Sequence, residues 1–557
     1  MKLLYLDLFG QYKGLAGQRF DLQDAPGAIV AFIGMNGSGK SQLMELLAEA
    51  FAYLERLQRR DFRVRHALPF QFCIAFEWAD PDGGLAKRFK ITCCTRREPS
   101  VSCSTRVSAG VGGTEQAEGS WGPEAPYGFD SLPLPRLIGY ASGLNENLQR
   151  PFMRNAVQYF DVMTVRARRR FELSMPQVNE DTVFEINRRY RQKHEGIFGS
   201  VVDLDPNDPL RTDESDTQLP TGVFLDYDCT NLVVACLGLL QAPALDELWP
   251  EVPFRHPSKA VLRYDLRSVP FEQDSIQDIE QLVRTLGGAC LTPRSTKTLE
   301  VDLERYGLDY LAADISIDFQ DPVTLQRLRD TYPQPARLFW KLYKLQLLGV
   351  KHWVVDVKRS LRDDRFQGHV KKPLKGKLPL LVAELWMSDG KNEVSIDDLS
   401  DGEAQLLHTL GAVRLFSEEQ ALFIFDEPET HLNPSWRTRY HLDFETARQG
   451  LNTSQALVST HSPFLISSLS RGAVFRFEKV NGRTIMERPA EQTFGASFEV
   501  LIKRFFALNT AISQTAVDQI THRLHHAGLN QAAKREWIEQ QLGESLEKVY
   551  LLKKLEA

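Results

Sequence analysis

Patterns that bind zinc or form disulfides are missing from this chain of 557 residues. Its seven cysteines are an odd number, no two of them form a CxxC pair, and no histidine lies at the spacing of a zinc ligand. These absences argue against a disulfide framework and against a zinc module. We therefore expect reduced thiols in a cytoplasmic protein.

Long apolar runs and heptad repeats are missing as well. The longest apolar run, from Leu232 to Leu240, is about half the length of a membrane-spanning helix. The N-terminus alternates like a β-strand and has no apolar segment of the signal-peptide kind. We therefore expect no membrane span and no long coiled-coil arm. The net charge of −6 is small for this length, so nucleic-acid contact would require a local basic patch.

A phosphate loop is the first informative feature that is present. Residues 34–41 read GMNGSGKS, between an apolar β-rich run (28–33) and a segment with helical spacing (42–57). The glycines allow backbone N–H groups to face phosphate oxygens, while Lys40 can reach the β- and γ-phosphates and Ser41 can ligate Mg²⁺. A chance glycine-rich turn is the alternative, which the strand and helix context disfavours. The predicted nucleotide contacts are Asn36, Gly37, Ser38, Gly39, Lys40, Ser41 and Gln42.

An acidic strand end follows at residues 423–428, which read FIFDEP. The apolar strand delivers Asp426 to its carboxyl edge, where the carboxylate can hold the Mg²⁺ shell. Glu427 then lies where a general base can polarise an attacking water. Taken alone, the pattern also fits a strand that ends in a solvated acidic turn. The phosphate loop upstream favours the catalytic interpretation.

Two further motifs flank that strand. In LSDGE (399–403), Ser400 offers a hydroxyl, Gly402 allows close approach to a phosphate, and the helix near Glu403 points its positive end the same way. In this order of motifs, the stretch caps the ATP of a second copy rather than that of its own chain. His461, after the strand 456–459, can hydrogen-bond a γ-phosphate and respond to its loss. An ordinary loop histidine is the alternative.

The order of these motifs resembles the ABC-type ATPases of the SMC/RecF branch. Within that branch it resembles the stand-alone ATPases of bacterial anti-phage and restriction-associated operons, with Septu-type ATPase subunits as the nearest kind. The motif resemblance covers residues 1–60 and 378–470, and the segments at 495–497 and 543–545 are also similar. It implies ATP and Mg²⁺ as cofactors, ATP hydrolysis, and a head-to-head dimer. The residues to which it assigns roles are Lys40, Ser41, Ser400, Gly402, Asp426, Glu427 and His461.

This chain departs from the family at two positions. Many relatives place a Mg²⁺-binding glutamine after the strand that here ends at Tyr140, but this chain reads ASGLNEN at 141–147. Ser142 or Asn145 is the candidate replacement, and Gln149 is less favoured. At the D-loop, Asn433 stands where an aspartate is usual. That difference puts the coupling between two nucleotide sites in question.

The fold class expected from these patterns is α/β. An ABC-type P-loop ATPase head, with a mixed sheet and an antiparallel β subdomain, is interrupted by a large insertion. We expect the half with the phosphate loop at 1–150, a mainly helical insertion at 151–377, the half with the other motifs at 378–494, and a helical tail at 495–557.

Two basic segments lie in the insertion. Each could bind phosphates of DNA or RNA through counterion release, dock an acidic partner, or simply be solvated. The first consists of Lys358, Arg359, Arg362, Arg365, Lys371, Lys372, Lys375 and Lys377, and the second of Arg166, Arg168, Arg169, Arg170, Arg188, Arg189 and Arg191.

The leading functional hypothesis is an ATP-hydrolysing sensor or regulator of a bacterial anti-phage defence system. We expect a separate effector, a nuclease, because the sequence has no HNH or PD-(D/E)xK pattern and no TOPRIM-type acidic cluster after His461. The alternative is a RecF- or SMC-like DNA-repair or DNA-maintenance ATPase. The nucleotide-binding subunit of a membrane transporter is disfavoured, because the insertion between the phosphate loop and LSDGE is too long.

Overall fold

The structure, a computed structural model, describes most of the chain. The described residues are 1–59, 61–64, 68–79, 84–94, 98–106, 121–143, 146–198, 218–268, 273–287, 290–296, 308–362, 375–451, 453–506, 512–525 and 530–556. Four residues named above lie outside them: Asn145, Arg365, Lys371 and Lys372. Within the described part, no helix has the length and apolar content that a bilayer crossing requires.

The strands contribute to three sheets. Their bounds are Lys2–Tyr12 (β1), Leu15–Asp21 (β2), Ile29–Gly34 (β3), Gln71–Trp78 (β4), Lys87–Cys93 (β5), Ser100–Thr105 (β6), Ala125–Pro126 (β7), Arg136–Ala141 (β8), Gly222–Leu225 (β9), His256–Asp265 (β10), Leu291–Pro293 (β11), Ala312–Asp318 (β12), Leu380–Ser388 (β13), Glu393–Ser395 (β14), Ala421–Asp426 (β15), Gln455–Ser459 (β16), Val474–Val480 (β17) and Arg483–Glu487 (β18).

The helices cover these sheets and form the C-terminal tail. Their bounds are Lys40–Gln58 (α1), Glu146–Leu173 (α2), Glu180–Lys193 (α3), Glu195–Phe198 (α4), Tyr227–Leu237 (α5), Ala242–Leu248 (α6), Gln273–Leu286 (α7), Pro322–Thr331 (α8), Pro335–Leu347 (α9), Val355–Arg362 (α10), Asp401–Phe416 (α11), Pro434–Ala447 (α12), Pro463–Ser467 (α13), Phe498–Phe505 (α14), Gln514–His525 (α15), Gln531–Gln541 (α16) and Leu546–Glu556 (α17).

A seven-stranded sheet, in the order β18-β17-β3-β16-β15-β8-β9, forms the centre of the molecule. Its neighbours pair in parallel except at the β17–β18 edge. Alternate residues of β3 enter different hydrophobic clusters, with Val30 and Phe32 on one face and Ile29, Ala31 and Ile33 on the other. Burial on both faces is typical of parallel strands that are covered on both sides, and it accounts for the apolar run.

Each face of the central sheet has its own cover. One face packs against α1 and the antiparallel sheet β2-β1-β4-β5-β6-β7. The other packs against helices that include α2, α5 and α11. The predicted α/β head with a mixed sheet and an antiparallel β subdomain is therefore confirmed.

A third sheet, β11-β12-β10-β13-β14, is antiparallel. β10 and β12 lie in the segment predicted to be a mainly helical insertion, so that segment also contributes strands. Apolar residues alternate along β10, and Ala260, Leu262 and Tyr264 are buried on one of its faces. Since β10 pairs with β13, the insertion shares a sheet with the segment that leads to Ser400.

A buried network of ion pairs joins α1 to α2. Arg150 donates to Glu45 and Glu49, and Arg154 donates to Glu49 with an N–O distance of 2.8 Å. The side chains of Glu49 and Arg154 are only 4% and 1% exposed. Burial opposes the charge of Glu49, but Arg154, Arg150 and Arg56 outweigh it and hold the pKa below its ordinary value. The helix that begins at the phosphate loop is thereby fixed to the first helix of the insertion.

Removing one carboxylate from this network should destabilise the fold. We expect Glu49→Gln to lower the free energy of unfolding by about 3–5 kcal/mol, because Arg154 loses a charged partner and Arg150 retains only its pair with Glu45. The control is Glu539→Gln, which breaks an exposed pair with Arg535 and should cost under about 0.5 kcal/mol. Urea denaturation measures both. Equal midpoints for the two variants would show that the buried network contributes no net stability.

Candidate nucleotide site

Four parallel strands bring separate parts of the chain to one edge of the central sheet. β3 ends at the phosphate loop, β8 at Ala141, β15 at Asp426 and β16 at Ser459. The register pairs Asp426 with Ser459 on one side and with Ala141 on the other. Because the carboxyl ends of parallel strands meet at the same edge, the loops that follow them form a common crevice.

The phosphate loop depends on glycine at its two ends. Gly34 has φ 142°, and a Cβ there would lie 2.2 Å from the carbonyl oxygen of Phe477. Gly39, with φ 111°, caps the start of α1 in the left-handed region. Residues with a side chain could not adopt these backbone conformations without strain. Ser38 Oγ is buried with no hydrogen-bond partner within the described residues, as expected of a group that serves a ligand.

Lys40 holds the loop and faces the crevice. Its Nζ donates to the carbonyl oxygens of Gly34 (2.8 Å) and Met35 (3.3 Å) and lies 3.2 Å from Nε2 of His461. The residue is 6% exposed. Burial lowers the pKa of Lys40, while Asp426 and Glu427 act in the opposite direction. Of the other predicted contacts, Asn36 and Gly37 are exposed on the loop, whereas Gln42 turns its side chain towards Gly14.

Asp426 joins the strand end to the phosphate loop. Ser41 Oγ donates to Oδ1 and Oδ2 of Asp426 at 3.3 and 3.2 Å, respectively. Ser459 Oγ also donates to Oδ1 of Asp426. Both side chains offer oxygen atoms as metal ligands. Mg²⁺ commonly binds a carboxylate and a hydroxyl together with phosphate oxygens. The pair Ser41 and Asp426 therefore fits the predicted metal site.

Glu427 is held in an uncommon backbone conformation. Its φ is 52°, and its N–H donates to the carbonyl oxygen of Ser459 at 3.0 Å. A non-glycine residue in the left-handed region costs roughly 1–2 kcal/mol and is often found at functional sites. Thr430 Oγ1 hydrogen-bonds the Glu427 carbonyl oxygen (2.9 Å) and Oε2 (3.3 Å). The turn thus fixes the carboxylate at the crevice.

His461 lies beside both of these groups. Its Nε2 is 3.6 Å from Oε1 of Glu427, and its ring centroid is 5.8 Å from that of Phe506 in the tail. Burial and the neighbouring Lys40 lower the pKa of His461, against the opposite effects of Glu427 and Asp426. The lowered pKa favours the neutral imidazole at pH 7.

Of the residues considered as the replacement for the glutamine, Ser142 lies at the crevice. Its N–H donates to the carbonyl oxygen of Asp426 (3.1 Å), and its Oγ is 3.2 Å from Oγ1 of Thr430. Gln149 turns away and donates to Asp226 at 3.4 Å. Asn145 lies outside the described residues. The geometry therefore favours Ser142 over Gln149.

The LSDGE segment begins α11 through a capping box. Ser400 Oγ accepts from the Glu403 N–H at 3.4 Å, and Glu403 Oε2 accepts from the Ser400 N–H at 2.9 Å. Ser400 is exposed, whereas Gly402 is buried against the D-loop, where a Cβ would lie 3.1 Å from the His431 carbonyl oxygen. Within the described residues, the hydrogen bonds of the Ser400 side chain stay inside the box. Asn433 caps α12.

Sequence reasoning missed two side chains at this site. Thr430 contacts Glu427, and Glu429, 3% exposed, accepts a hydrogen bond from Thr460. The turn in which they lie reads PETH, which resembles an ordinary solvated loop. No local signal distinguishes a buried glutamate from an exposed one in such a turn.

Comparisons with known proteins match parts of the chain. A family model described as an AAA domain, putative AbiEii toxin, type IV TA system matches residues 312–467, which exclude the phosphate loop. Protein ea59 of Escherichia phage lambda is 30% identical over 118 residues, 21% of this chain. The match spans 22% of that phage protein, well under two thirds of its length.

Solved SMC heads are similar at low identity. The SMC head bound to the C-winged helix domain of ScpA is 11% identical with a TM-score of 0.30, and it covers 88% of this chain and 98% of that one. The SMC head domain from Thermotoga maritima is 9% identical with a TM-score of 0.29. The match covers 88% of this chain and 100% of that domain. Together with the phosphate loop at residues 34–41, the family match supports a P-loop ATPase.

Substitution should distinguish Ser142 from Gln149. We expect Ser142→Ala to raise the Mg²⁺ concentration for half-maximal ATP hydrolysis about tenfold or more, because a group next to the metal shell is lost. Gln149→Ala, the matched control, should change it less than about twofold, because its side chain bonds Asp226 instead. Mg²⁺ titration of the ATPase rate measures both. Wild-type behaviour of Ser142→Ala would remove Ser142 as the replacement.

Proposed function

We propose that this chain is an ATP-binding and ATP-hydrolysing ABC-type ATPase that works as a dimer with a second copy of itself. One observation carries the proposal: Lys40, Ser41, Asp426, Glu427 and His461 meet at one sheet edge, linked by the contacts described above. Their types and spacing suit a bound nucleoside triphosphate.

The loop at the start of α1 receives the phosphates. Backbone N–H groups at the N-terminus of α1 would bind the phosphate oxygens there, because the partial charge of a helix N-terminus favours anions. Lys40, already desolvated, contacts the β- and γ-phosphates. Mg²⁺ held by Ser41 and Asp426 would neutralise charge that develops on those phosphates. Ser459 and Ser142 orient Asp426 and the turn beyond it.

Hydrolysis then requires a base and a group that holds the γ-phosphate. A water attacks the γ-phosphorus, the bond to the β–γ bridging oxygen breaks, and Glu427 accepts the proton of the water. Thr430 keeps the Glu427 carboxylate in place. Neutral His461 donates to a γ-phosphate oxygen and loses that contact when phosphate leaves.

The composite site is the second part of the proposal. Ser400, Gly402 and Glu403 lie at the N-terminus of α11, where the capping box leaves the first turn ordered and the Ser400 side chain exposed. In a head-to-head dimer this helix end caps the γ-phosphate on the partner copy. Each nucleotide is then sealed by two chains, so ATP closes the dimer and hydrolysis opens it.

Two inactive variants should complement each other. Lys40→Ala should lose ATP binding, and Ser400→Arg should bind ATP but block closure, so each alone should be inactive. When they are mixed, half of the dimers contain one intact site, so ATPase activity should recover to about a quarter of wild type. Phosphate release measures this recovery.

The controls fix what each variant does. Glu427→Gln should bind ATP and remain dimeric without turnover, as judged by light scattering, because the base is lost while the contacts stay. Lys479→Ala, an exposed lysine on β17, should hydrolyse ATP like wild type. Full activity of Ser400→Arg alone would contradict the composite site.

We further propose that the ATPase acts in the cytoplasm as a sensor or regulator of a bacterial anti-phage defence system of the Septu or restriction-associated kind. Its support is the description of the matching family, which names a toxin of a type IV TA system, and the motif order. The effector is a nuclease on another chain, because the sequence lacks a nuclease signature. Purification from the native host without any associated protein would count against this role.

A specific observation keeps the RecF- or SMC-like alternative in view. Segments that are distant in sequence form one basic surface, which consists of Arg168, Lys351, His352, Lys358 and Lys377. Lys358 Nζ donates to the Lys351 carbonyl oxygen at 3.1 Å. Burial and then the nearby Lys351, Lys377 and Lys358 lower the pKa of His352, which indicates crowded cations.

The two predicted basic segments contribute unequally to this surface. Arg168 is exposed, and after burial its charge is the next cause that lowers the pKa of Lys351. Arg169 is instead buried and donates to Asn187 at 2.7 Å, and Arg189 pairs with Glu172. Arg168 thus extends the surface built by Lys351, Lys358 and Lys377. Such a surface suits a phosphodiester backbone.

Duplex DNA would test that alternative. If DNA binds there, Lys351→Ala with Lys377→Ala should lower the slope of log K against log salt by about 2, since two phosphate contacts are lost. ATPase activity without DNA should stay unchanged. Lys259→Ala, an exposed lysine on β10, is the control. Fluorescence anisotropy at several salt concentrations measures the slope, and an unaltered slope would remove this surface as the DNA site.

A further inference from the structure

Glu429 is a buried carboxyl group to which the proposed chemistry gives no role. It lies in the turn between β15 and α12 and is 3% exposed. Its Oε1 accepts from Thr460 Oγ1, while its Oε2 is buried with no hydrogen-bond partner in the described part of the chain. Burying a carboxyl group is unfavourable. A structural or functional gain at this position must therefore offset that cost.

Thr460 is fixed from three directions. Its N–H donates to the carbonyl oxygen of Phe32 at 3.0 Å, at the end of the strand that leads to the phosphate loop. Its hydroxyl accepts from the Ser462 N–H at 2.9 Å and donates to Glu429. The hydroxyl has a single proton, so the Glu429 carboxyl is the group that receives it.

His461 is the next residue, and its ring must be aimed at the crevice. Nε2 lies 3.2 Å from Nζ of Lys40 and 3.6 Å from Oε1 of Glu427. A small rotation of the backbone at Thr460 would change both distances. The hydrogen bond from Thr460 to Glu429 therefore acts on the orientation of the ring.

We propose that Glu429 is a positioning residue: by holding the Thr460 hydroxyl, it fixes the backbone that presents His461 to the γ-phosphate. The inference rests on the proposed ATP hydrolysis for its consequence in turnover. Its geometric part, the link from Glu429 through Thr460 to His461, stands independently.

The chemistry of the carboxyl group suggests a conservative replacement. Burial raises the pKa of Glu429 to about 7, against the hydrogen bond from Thr460, which lowers it. The neutral acid accepts through a carbonyl-type oxygen, and a glutamine amide offers the same acceptor. Glu429→Gln should therefore keep the bond to Thr460, and Glu429→Ala should lose it.

Steady-state kinetics of full-length variants test the proposal. Glu429→Ala and Thr460→Val should each lower kcat about 10- to 100-fold and change KM for ATP less than about twofold, because the ring is misplaced while the phosphate loop is intact. The double variant should lose no more than Thr460→Val alone, since that change already removes the bond to Glu429. Glu429→Gln and Thr460→Ser should retain at least about half of wild-type kcat.

A second measurement needs no turnover. Diethyl pyrocarbonate modification, mapped by peptide mass spectrometry, should be at least about threefold faster at His461 in Glu429→Ala and Thr460→Val, because the ring is released. The rate at His256, which pairs with Asp246 elsewhere in the molecule, should not change. Glu429→Gln and Thr460→Ser should match wild type at both positions.

The outcomes separate this inference from the proposed function. Equal modification rates at His461 in all the variants, or loss of activity in Glu429→Gln as large as in Glu429→Ala, would overturn the positioning role. Loss of ATP affinity together with kcat would also overturn it. A wild-type chain that does not hydrolyse ATP would refute the proposed function, while the modification rates would still decide whether Glu429 positions His461.

Discussion

A single backbone hydrogen bond, from the N–H of Glu427 to the carbonyl oxygen of Ser459, determines how the crevice is built. It ends the pairing of β15 with β16 and turns Glu427 into the left-handed region. Asp426, one residue earlier, still follows the strand and stays beside Ser459. Two adjacent carboxylates therefore leave the same strand in different directions. One meets the phosphate loop, and the other meets His461.

The register of the parallel strands explains why a few residues are enough to form the crevice. Ser459 lies opposite Asp426 on one side and opposite Phe32 on the other. Three loops that are far apart in sequence therefore start at the same height above the sheet. Because the two faces of the sheet pack against different clusters, a slip of one residue would move every side chain of a strand to the wrong face. The rigidity of the core thus fixes distances at the crevice.

The sequence predicted what depends on short patterns. GMNGSGKS and FIFDEP each combine an apolar strand with a polar end, so their secondary structure and their edge of the sheet follow from local rules. The pairing of β10 with β13 joins segments more than 100 residues apart, and no local pattern specifies it. The burial of Glu429 likewise depends on Thr460, which reaches the same place from another strand. The sequence already favoured Ser142 over Gln149, and the direction of α2, which turns Gln149 to Asp226, supplies the physical reason.

The shared sheet of β10 and β13 has a mechanical consequence. The insertion is attached to the ATPase head at several places: through that sheet next to Ser400, through β9 to the central sheet, and through Arg154 to the helix that carries Lys40. Because of these contacts, the insertion cannot move independently of the head. If nucleotide changes the angle between the two halves of the head, the insertion must therefore move with them. Its outer surface would then magnify a small displacement at the phosphates into a larger one far away.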